Sequence, residues 1–165
     1  MTSPTRIYIG FDLGRKCGVA VWREGELVES WAWEFKAKKG MLVSSERDKF
    51  RHEVKRLLEA YSGEPIGPTI RPVAAYERPH MRGYGATKSL MGWVCSLEEV
   101  CDSLGVELKS VHTGTLKKFA TGFGKASKEE MVKAARKLKP DVKSEDEADA
   151  IHVAHWAAET IRKGE

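Results

Sequence analysis

The chain has 165 residues, of which 41% are hydrophobic and 32% charged, and its formal net charge is +4. This composition is ordinary for a soluble globular protein, and no repeat or low-complexity tract is visible. Because no apolar run approaches the roughly 20 residues that cross a membrane, we expect a single domain over 1–165 with no membrane partner.

The cellular compartment is suggested by the first residues and the cysteines. The opening stretch MTSPTR lacks the apolar segment of a secretory signal. Cys17, Cys95 and Cys101 form no CxxC pattern, so neither a disulfide framework nor a zinc site is expected. Together these features favour a reducing, cytoplasmic location.

The first half of the chain predicts four strands and one helix. Strands are expected at 6–13, 18–22 and 27–35, separated by turns that contain glycine. A helix should follow from Ser44 or Ser45 to about Tyr61, since Phe50, Val54 and Leu58 recur at helical spacing. The stretch SGEPIGPTIRP reads as a loop, and PVAAYERP then contains a short strand.

The second half is predicted to be mostly helical. A long helix at 86–104 and a strand at 106–111 precede helices at about 113–120, 127–138 and 145–162, and SKEE matches a capping box. A meander of three antiparallel strands, followed by alternating strands and helices, indicates an α/β fold. We therefore expect one mixed sheet of the meander plus two further strands, flanked by helices on both faces.

Four carboxylates lie at positions of the strands and of the last helix that are unusual for acidic residues. Asp12 lies within an apolar strand, where an unpaired ionised carboxylate costs several kcal/mol or more, and Glu77 ends a later strand. Asp146 and Asp149 begin the apolar stripe of the last helix. Taken singly, each has a structural explanation: a turn cap for Asp12, an exposed strand end for Glu77, and the helix dipole for the last two.

Taken together, the four acids predict a metal site at one edge of the sheet. Carboxylates cannot lie close together as anions without a compensating cation, and hard oxygen ligands suit Mg²⁺ or Mn²⁺. Two such ions about 4 Å apart would stabilise the attacking and leaving oxygens of phosphodiester cleavage. His152 follows Asp149 by one turn, and its role stays open, whereas His155 is expected to pack or to be exposed.

Two basic stretches are candidates for contact with a polyanion. The segment 113–143 is rich in lysine and arginine, which indicates either a nucleic-acid partner or a solvated helix face. The glycines of TGFGKAS would let backbone N–H groups approach phosphate beside Lys125 and Lys128. The stretch ERPHMRGYG mixes cations with rings, which suits phosphate contact and base stacking or an exposed loop; its candidates are Arg78, His80, Arg82 and Tyr84.

Four motifs, in order, resemble one known family. FDLGRKCGVAVW, AAYERP, LKKFATGFGKASKEEM and DEADAI, spanning residues 6 to about 157, resemble the RuvC family of Holliday-junction resolvases, within the ribonuclease H-like superfamily. The compact, lysine-rich form is similar to members carried by bacteriophages. The resemblance implies a ribonuclease H-like fold and a metal-dependent endonuclease of DNA recombination and repair, which nicks four-way junctions symmetrically with two Mg²⁺ or Mn²⁺ ions.

The resemblance also implies roles for particular residues. Asp12, Glu77, Asp146 and Asp149 match the catalytic metal ligands, and Lys117 and Lys128 match the family's lysines near DNA, with Lys118 and Lys125 in the same segment. In one departure, His80 stands where bacterial members carry an aromatic residue that probes the junction centre. Tyr84 is the alternative source of a stacking ring.

The helix at 86–104 predicts a homodimer interface. Its apolar surface is wider than one sheet contact needs. One stripe at helical spacing is formed by Leu90, Val94, Leu97, Cys101 and Leu104, and the surface is widened beyond it by Met91, Trp93, Cys95 and Val100. RuvC-type enzymes are similar in pairing through the helix after the glutamate strand, and Trp93 is the candidate anchor. The alternative is a helix buried entirely within its own subunit.

Other functions stay open at this point. The same scaffold and acids would suit a nuclease of RNA–DNA hybrids or of ribosomal RNA precursors, and a non-catalytic junction-binding protein is a further alternative. A sugar kinase or actin-like ATPase shares a first motif like FDLGRKCGVAVW, but those folds need a second domain of the same design. The chain of 165 residues shows no repeat that would supply one.

Overall fold

The computed structural model describes residues 5–36, 39–40, 44–62, 70–80 and 83–164. The predicted order of strands and helices is confirmed: β1 (Thr5–Asp12), β2 (Lys16–Arg23), β3 (Glu26–Glu34), α1 (Ser44–Ser62), β4 (Ile70–Glu77), α2 (Tyr84–Leu104), β5 (Glu107–Val111), α3 (Thr113–Thr121), α4 (Lys128–Arg136) and α5 (Glu145–Arg162). Most of the predicted glycine- and proline-rich loop, residues 63–69, and Arg82 of the second basic stretch lie outside the described residues.

The strands form one mixed sheet in the order β3-β2-β1-β4-β5. β1, β2 and β3 are the predicted antiparallel meander, and β4 pairs in parallel with both β1 and β5. The carboxyl ends of β1, β4 and β5 therefore meet at one edge of the sheet. In this register Phe11 lies beside Tyr76, and Glu77 lies beside Val111.

Helices cover both faces of the sheet, as predicted. Ile7, Ile9 and Phe11 of β1 pack on the face that α1 and α2 cover. Tyr8 packs on the opposite face with residues of α3, α4 and α5. Because side chains alternate along a strand, Asp12 shares the parity of Tyr8 and so faces the α5 side. None of the helices in the described residues is long and apolar enough to span a bilayer.

Two glycines allow α5 to lie directly on the sheet. A Cβ on Gly18 of β2 would overlap the backbone carbonyl of Asp146, and one on Gly10 of β1 would overlap that of Ala150. Glycine within a strand often marks such a close backbone approach. These two positions bring the first turns of α5 against the end of β1, where Asp12 lies.

The first turn of α5 is also held from the side. The backbone N–H of Glu147 donates to the N-cap hydroxyl of Ser144 at 3.1 Å. The buried Glu147 carboxylate accepts hydrogen bonds from Ser30 Oγ at 2.6 Å and from Lys139 Nζ at 2.7 Å. β3, the segment after α4 and the start of α5 are thus joined through one carboxylate, which fixes where α5 begins.

The prediction that Trp93 anchors a dimer is wrong. Trp93 is only 2% exposed, and its ring lies 5.2 Å from that of Phe50 and 5.8 Å from that of Phe35. α2 packs against α1 as well as against the sheet, so most of its wide apolar surface is used within the subunit. Of the residues predicted to widen this surface, Met91 and Cys95 stay exposed.

Candidate active site

Three of the four predicted acids converge at the edge where β1 and β4 end. Asp12, Glu77 and Asp149 each place a carboxylate oxygen within 4.8 Å of the other two. Asp12 is the last residue of β1 and Glu77 the last of β4, while Asp149 lies in the second turn of α5. Three separate elements therefore deliver oxygen ligands to one small volume.

Asp146 lies one turn before Asp149 on α5. Among the described residues, the group of three close carboxylates does not include it. It is nevertheless close to the set, since its backbone carbonyl lies against Gly18, the partner of Asp12 in the β1–β2 ladder, and its charge adds to the burial that raises the pKa of Asp12. The structure thus brings all four predicted acids to one place, with Asp146 on the Asp12 side of the cluster.

Burial and the neighbouring acids disfavour the ionised forms of Asp12 and Asp149. Burial raises the pKa of Asp12 well above its usual range, and the nearby charges of Asp149, Asp146 and Glu77 add to the effect. Burial likewise raises the pKa of Asp149 to about 7, again with help from Glu77 and Asp146. Carboxylates that repel one another in this way form an anionic site that a bound cation would stabilise.

The donor set fits a hard divalent cation. All the ligand atoms of the cluster are carboxylate oxygens, which are the ligands that Mg²⁺ and Mn²⁺ prefer, whereas zinc sites in proteins mostly use histidine and cysteine. Cys17 is buried near the cluster, and burial raises the pKa of its thiol well above the ordinary value, which keeps it protonated. The residues present therefore match the predicted magnesium or manganese chemistry.

Thr113 is a site residue that the sequence analysis missed. Its Oγ1 donates a hydrogen bond to Oε1 of Glu77. It begins α3, two residues after Val111, the residue that pairs with Glu77 in the parallel ladder. Parallel strands end at the same edge of a sheet. Because only one residue separates the end of β5 from Thr113, the sequence could have indicated that Thr113 lies beside Glu77.

A narrow cleft of about 150 Å³ opens beside the acids. Asp12 and Glu77 line it together with Arg78, His80 and the partly buried Leu90. Arg78 Nε donates to Ser110 Oγ at 2.9 Å, so its side chain is held against β5. Two of the predicted nucleic-acid contacts, Arg78 and His80, therefore share a surface with the carboxylates, while Tyr84 is exposed in the first turn of α2.

The predicted lysines lie on α3, on α4 and on the loop between them. Lys117 is half-buried, whereas Lys118, Lys125 and Lys128 are exposed. Lys128 begins α4, and its Nζ lies 3.3 Å from Oε2 of Glu145. Its charge acts to lower the pKa of Asp149, which shows that this lysine is close enough to influence the cluster.

The two histidines of α5 have packing contacts. His152 is buried, and its Nε2 donates to the backbone carbonyl of Met131 at 2.8 Å, which ties α5 to α4. Burial lowers the pKa of His152, so the ring is neutral. His155 stacks on Trp22 with ring centroids 4.3 Å apart, in agreement with the expectation that it packs.

Comparison with known proteins identifies the fold. No family model and no curated protein sequence matches the chain. Among solved structures, the chain is similar to Thermus thermophilus RuvC, with a TM-score of 0.76 and 18% identity over 96% of each chain. It is also similar to T. thermophilus RuvC in complex with a Holliday junction substrate, with a TM-score of 0.79 and 19% identity over 96% of each chain. The chain has the fold of RuvC.

The RuvC-like fold confirms the resemblance that the four motifs suggested, at the level of architecture. The mixed sheet in the order β3-β2-β1-β4-β5, with helices on both faces, is the predicted ribonuclease H-like arrangement. Its carboxyl edge is where Asp12 and Glu77 end their strands.

Proposed function

We propose that this chain is a metal-dependent endonuclease that cuts branched DNA, with four-way junctions as its substrate. The observation that carries the proposal is the set of oxygens from Asp12, Glu77 and Asp149, within 4.8 Å of one another at the carboxyl edge of a RuvC-like sheet. Within this cluster, burial and repulsion raise the pKa values of Asp12 and Asp149, which has no evident structural benefit because it destabilises the fold unless a cation binds.

In this proposal the four acids bind the metal, and Thr113 and Glu147 keep them in position. Asp12, Glu77 and Asp149, with Asp146 beside them, would hold Mg²⁺ or Mn²⁺, and a pair of such ions supplies charge stabilisation for the attacking and leaving oxygens of a phosphodiester. Thr113 donates to Oε1 of Glu77 and thereby orients this carboxylate within the cluster. The buried hydrogen bonds of Glu147 keep the first turn of α5 in place, and Asp146 and Asp149 with it.

The surroundings of the acids suit a phosphate backbone. Exposed lysines lie on α3, α4 and the connecting loop, with Lys128 close enough to act on Asp149, and Arg78 and His80 line a cleft with Asp12 and Glu77. Such cations bind phosphates without regard to sequence. The solved RuvC complex contains a Holliday junction, and this supports branched DNA over plain duplex as the substrate of the present chain.

Symmetric resolution of a junction needs two active sites related by a two-fold axis. We therefore propose a homodimer that pairs through the outer face of α2. With Trp93 inside the subunit, the apolar residues of the predicted interface that remain exposed are Met91, which is 42% exposed, and Cys95 one turn later. Because these two residues make a small apolar patch, the interface must also include neighbouring polar residues such as Lys88.

The deciding experiment is a substrate panel. A four-way junction, an RNA–DNA hybrid, a plain duplex and a structured ribosomal RNA precursor would each be incubated with the protein and Mg²⁺, Mn²⁺ or EDTA. We expect paired nicks in the junction with either metal and no cutting in EDTA. Preferential cutting of the hybrid or of the RNA would overturn the choice of substrate, and cutting that persists in EDTA would overturn the metal-dependent mechanism.

A further inference from the structure

Phe123 is an exposed aromatic residue in the loop between α3 and α4. Its side chain is 59% exposed, in the stretch TGFGKAS, where glycines flank it on both sides. Exposed single apolar residues are common on protein surfaces. Phe123 differs from that ordinary case in two respects: how its loop is built and where the loop lies.

The loop that carries Phe123 is tightly hydrogen-bonded. Gly122 has φ of +85°, a left-handed conformation that ends α3, and its N–H donates to the carbonyl of Lys118 at 2.8 Å. The N–H of Phe123 lies 3.2 Å from Thr121 Oγ1, and its carbonyl accepts from the N–H of Ala126 at 3.1 Å. A loop fixed on both sides of Phe123 holds the ring outward with little freedom left in the backbone.

The loop also lies next to the acidic cluster. A Cβ on Gly124 would be 3.4 Å from the carbonyl oxygen of Gly114, so the loop touches the first turn of α3. The preceding residue, Thr113, donates to Glu77. On the far side of the loop, Lys128 is close enough to lower the pKa of Asp149. The loop that carries the exposed ring therefore lies beside the end of β4 that holds Glu77.

The charges around Phe123 indicate the chemistry of its partner. Lys118 and Lys125 are exposed on either side of it in the sequence. Protein–protein interfaces are depleted in lysine, whereas sites for single-stranded nucleic acid combine cations that track the backbone with aromatic rings on which bases stack. An outward phenylalanine among lysines thus fits an unpaired base of a polyanionic strand.

We infer that Phe123 stacks on an unpaired nucleobase at the branch point and thereby holds the strand against the carboxylate cluster. This inference rests on the proposed function and names the kind of DNA feature that the site would recognise. A fully paired duplex offers no free base face at this position, so the ring would contribute selectivity for branched or frayed DNA.

The test is binding in EDTA, where cleavage is blocked, to a four-way junction and to a duplex of the same sequence. Phe123→Ala should weaken junction binding on the order of ten- to a hundredfold and leave duplex binding almost unchanged. Phe123→Leu should behave like Phe123→Ala because it lacks a π face, and Phe123→Trp should restore binding. Val28→Ala, which truncates a residue 53% exposed on β3, is the matched control.

Two further readouts separate stacking from a general loss of structure. Because the ring carries no charge, the slope of log affinity against log salt should be the same for Phe123→Ala as for the wild type. A 2-aminopurine at the branch point should be quenched by the wild type and by Phe123→Trp but not by Phe123→Leu.

The outcomes distinguish this inference from the proposed function. Equal junction binding by wild type, Phe123→Ala and Val28→Ala, or an equal loss on the junction and the duplex, would overturn the stacking role even if the wild type cuts junctions. A wild type that cuts no junction with Mg²⁺ or Mn²⁺ would overturn the proposed function, whereas a stacking effect on branched DNA would still support the role of Phe123.

Discussion

Asp12 of β1 and Asp149 of α5, 137 positions apart in the chain, bring carboxylate oxygens to within 4.8 Å of each other and of Glu77. The approach depends on Gly10 and Gly18, which let α5 lie against the strands. It places like charges in a partly buried site, at a cost in stability that a bound cation would offset.

The first prediction concerns catalysis. Asp12→Asn, Glu77→Gln and Asp149→Asn should each lower junction cutting about a thousandfold or more, because metal stabilisation is worth several kcal/mol and 1.36 kcal/mol is a factor of ten. Junction binding should be unchanged or tighter, since each change removes a negative charge near phosphate. Single-turnover cutting and gel-shift assays measure the two effects, with the exposed Asp141→Asn as the control. Near-normal turnover in any of the three would remove that residue from the site.

The second prediction concerns stability without metal. The pKa of Asp149 is raised to about 7 in the fold, above the ordinary value of about 3.9 in the unfolded chain. As the pH rises between these values the unfolded chain ionises first, so the cost to stability grows from about pH 4 and is complete above about pH 7. Asp149→Asn should therefore raise the Tm in EDTA at pH 8 by about 2–4 °C or more, and by less at pH 5.

Added metal should favour the wild type over Asp149→Asn. A cation that binds only the folded state stabilises it by mass action, so millimolar Mg²⁺ or Mn²⁺ should raise the Tm of the wild type more than that of Asp149→Asn. An Asp149→Asn variant that is less stable than the wild type in EDTA at pH 8 would show that burial and repulsion of the ionised carboxylate are not the dominant effect.

Much of the candidate site could be predicted because two simple periodicities determine it. Asp12 and Glu77 each end a strand, and parallel strands end at one edge; Asp146 and Asp149 lie on the helix stripe that docks there. Thr113 could not be chosen in the same way, because threonine at a helix start is common and its partner lies 36 residues away.

The prediction that Trp93 anchors a dimer was wrong for a different physical reason. Helical spacing shows that one face of α2 is apolar, but it does not tell how many neighbours cover that face. Trp93 is covered by α1 and by Phe35 after β3, contacts between parts of the chain far apart in sequence. The buried ion pair of Lys139 with Glu147 could not be predicted for a similar reason. Glu147 is buried only because α5 packs beside β3.

The third prediction concerns the lysines beside the cluster. Lys117→Ala and Lys128→Ala should each weaken junction binding and reduce the slope of log affinity against log salt by about one unit. Lys55→Ala, an exposed lysine on α1 across the sheet, removes the same net charge and is the control. If Lys55→Ala weakens binding as much as the other two, only the overall charge of the chain matters and the basic surface has no specific role.

The fourth prediction separates Lys139 from the other cations of its segment. Lys139 donates at 2.7 Å to the buried carboxylate of Glu147, and removing one partner of a buried pair leaves the other charge uncompensated. Lys139→Ala should lower the free energy of unfolding by about 3 kcal/mol in urea, whereas the exposed Lys137→Ala should have almost no effect. The folded fraction of Lys139→Ala should bind junction DNA normally, and a binding defect without a stability defect would contradict this structural role.

The last prediction concerns the homodimer, which the symmetric nicking of a junction requires. Sedimentation at micromolar concentration should give twice the 18.5 kDa of one chain, and Met91→Glu should shift the protein toward monomer. The cysteines offer a second measurement, because Cys95 is exposed while Cys17 and Cys101 are buried, and burial raises the pKa of the Cys101 thiol to about 12. A short bis-maleimide should therefore react at Cys95 and join two chains if the α2 helices meet at the two-fold axis, and Cys95→Ser should abolish the cross-link. A dimer in sedimentation that does not cross-link would place the interface elsewhere on the chain. A monomer that still makes paired nicks in one junction would rule out the dimer altogether.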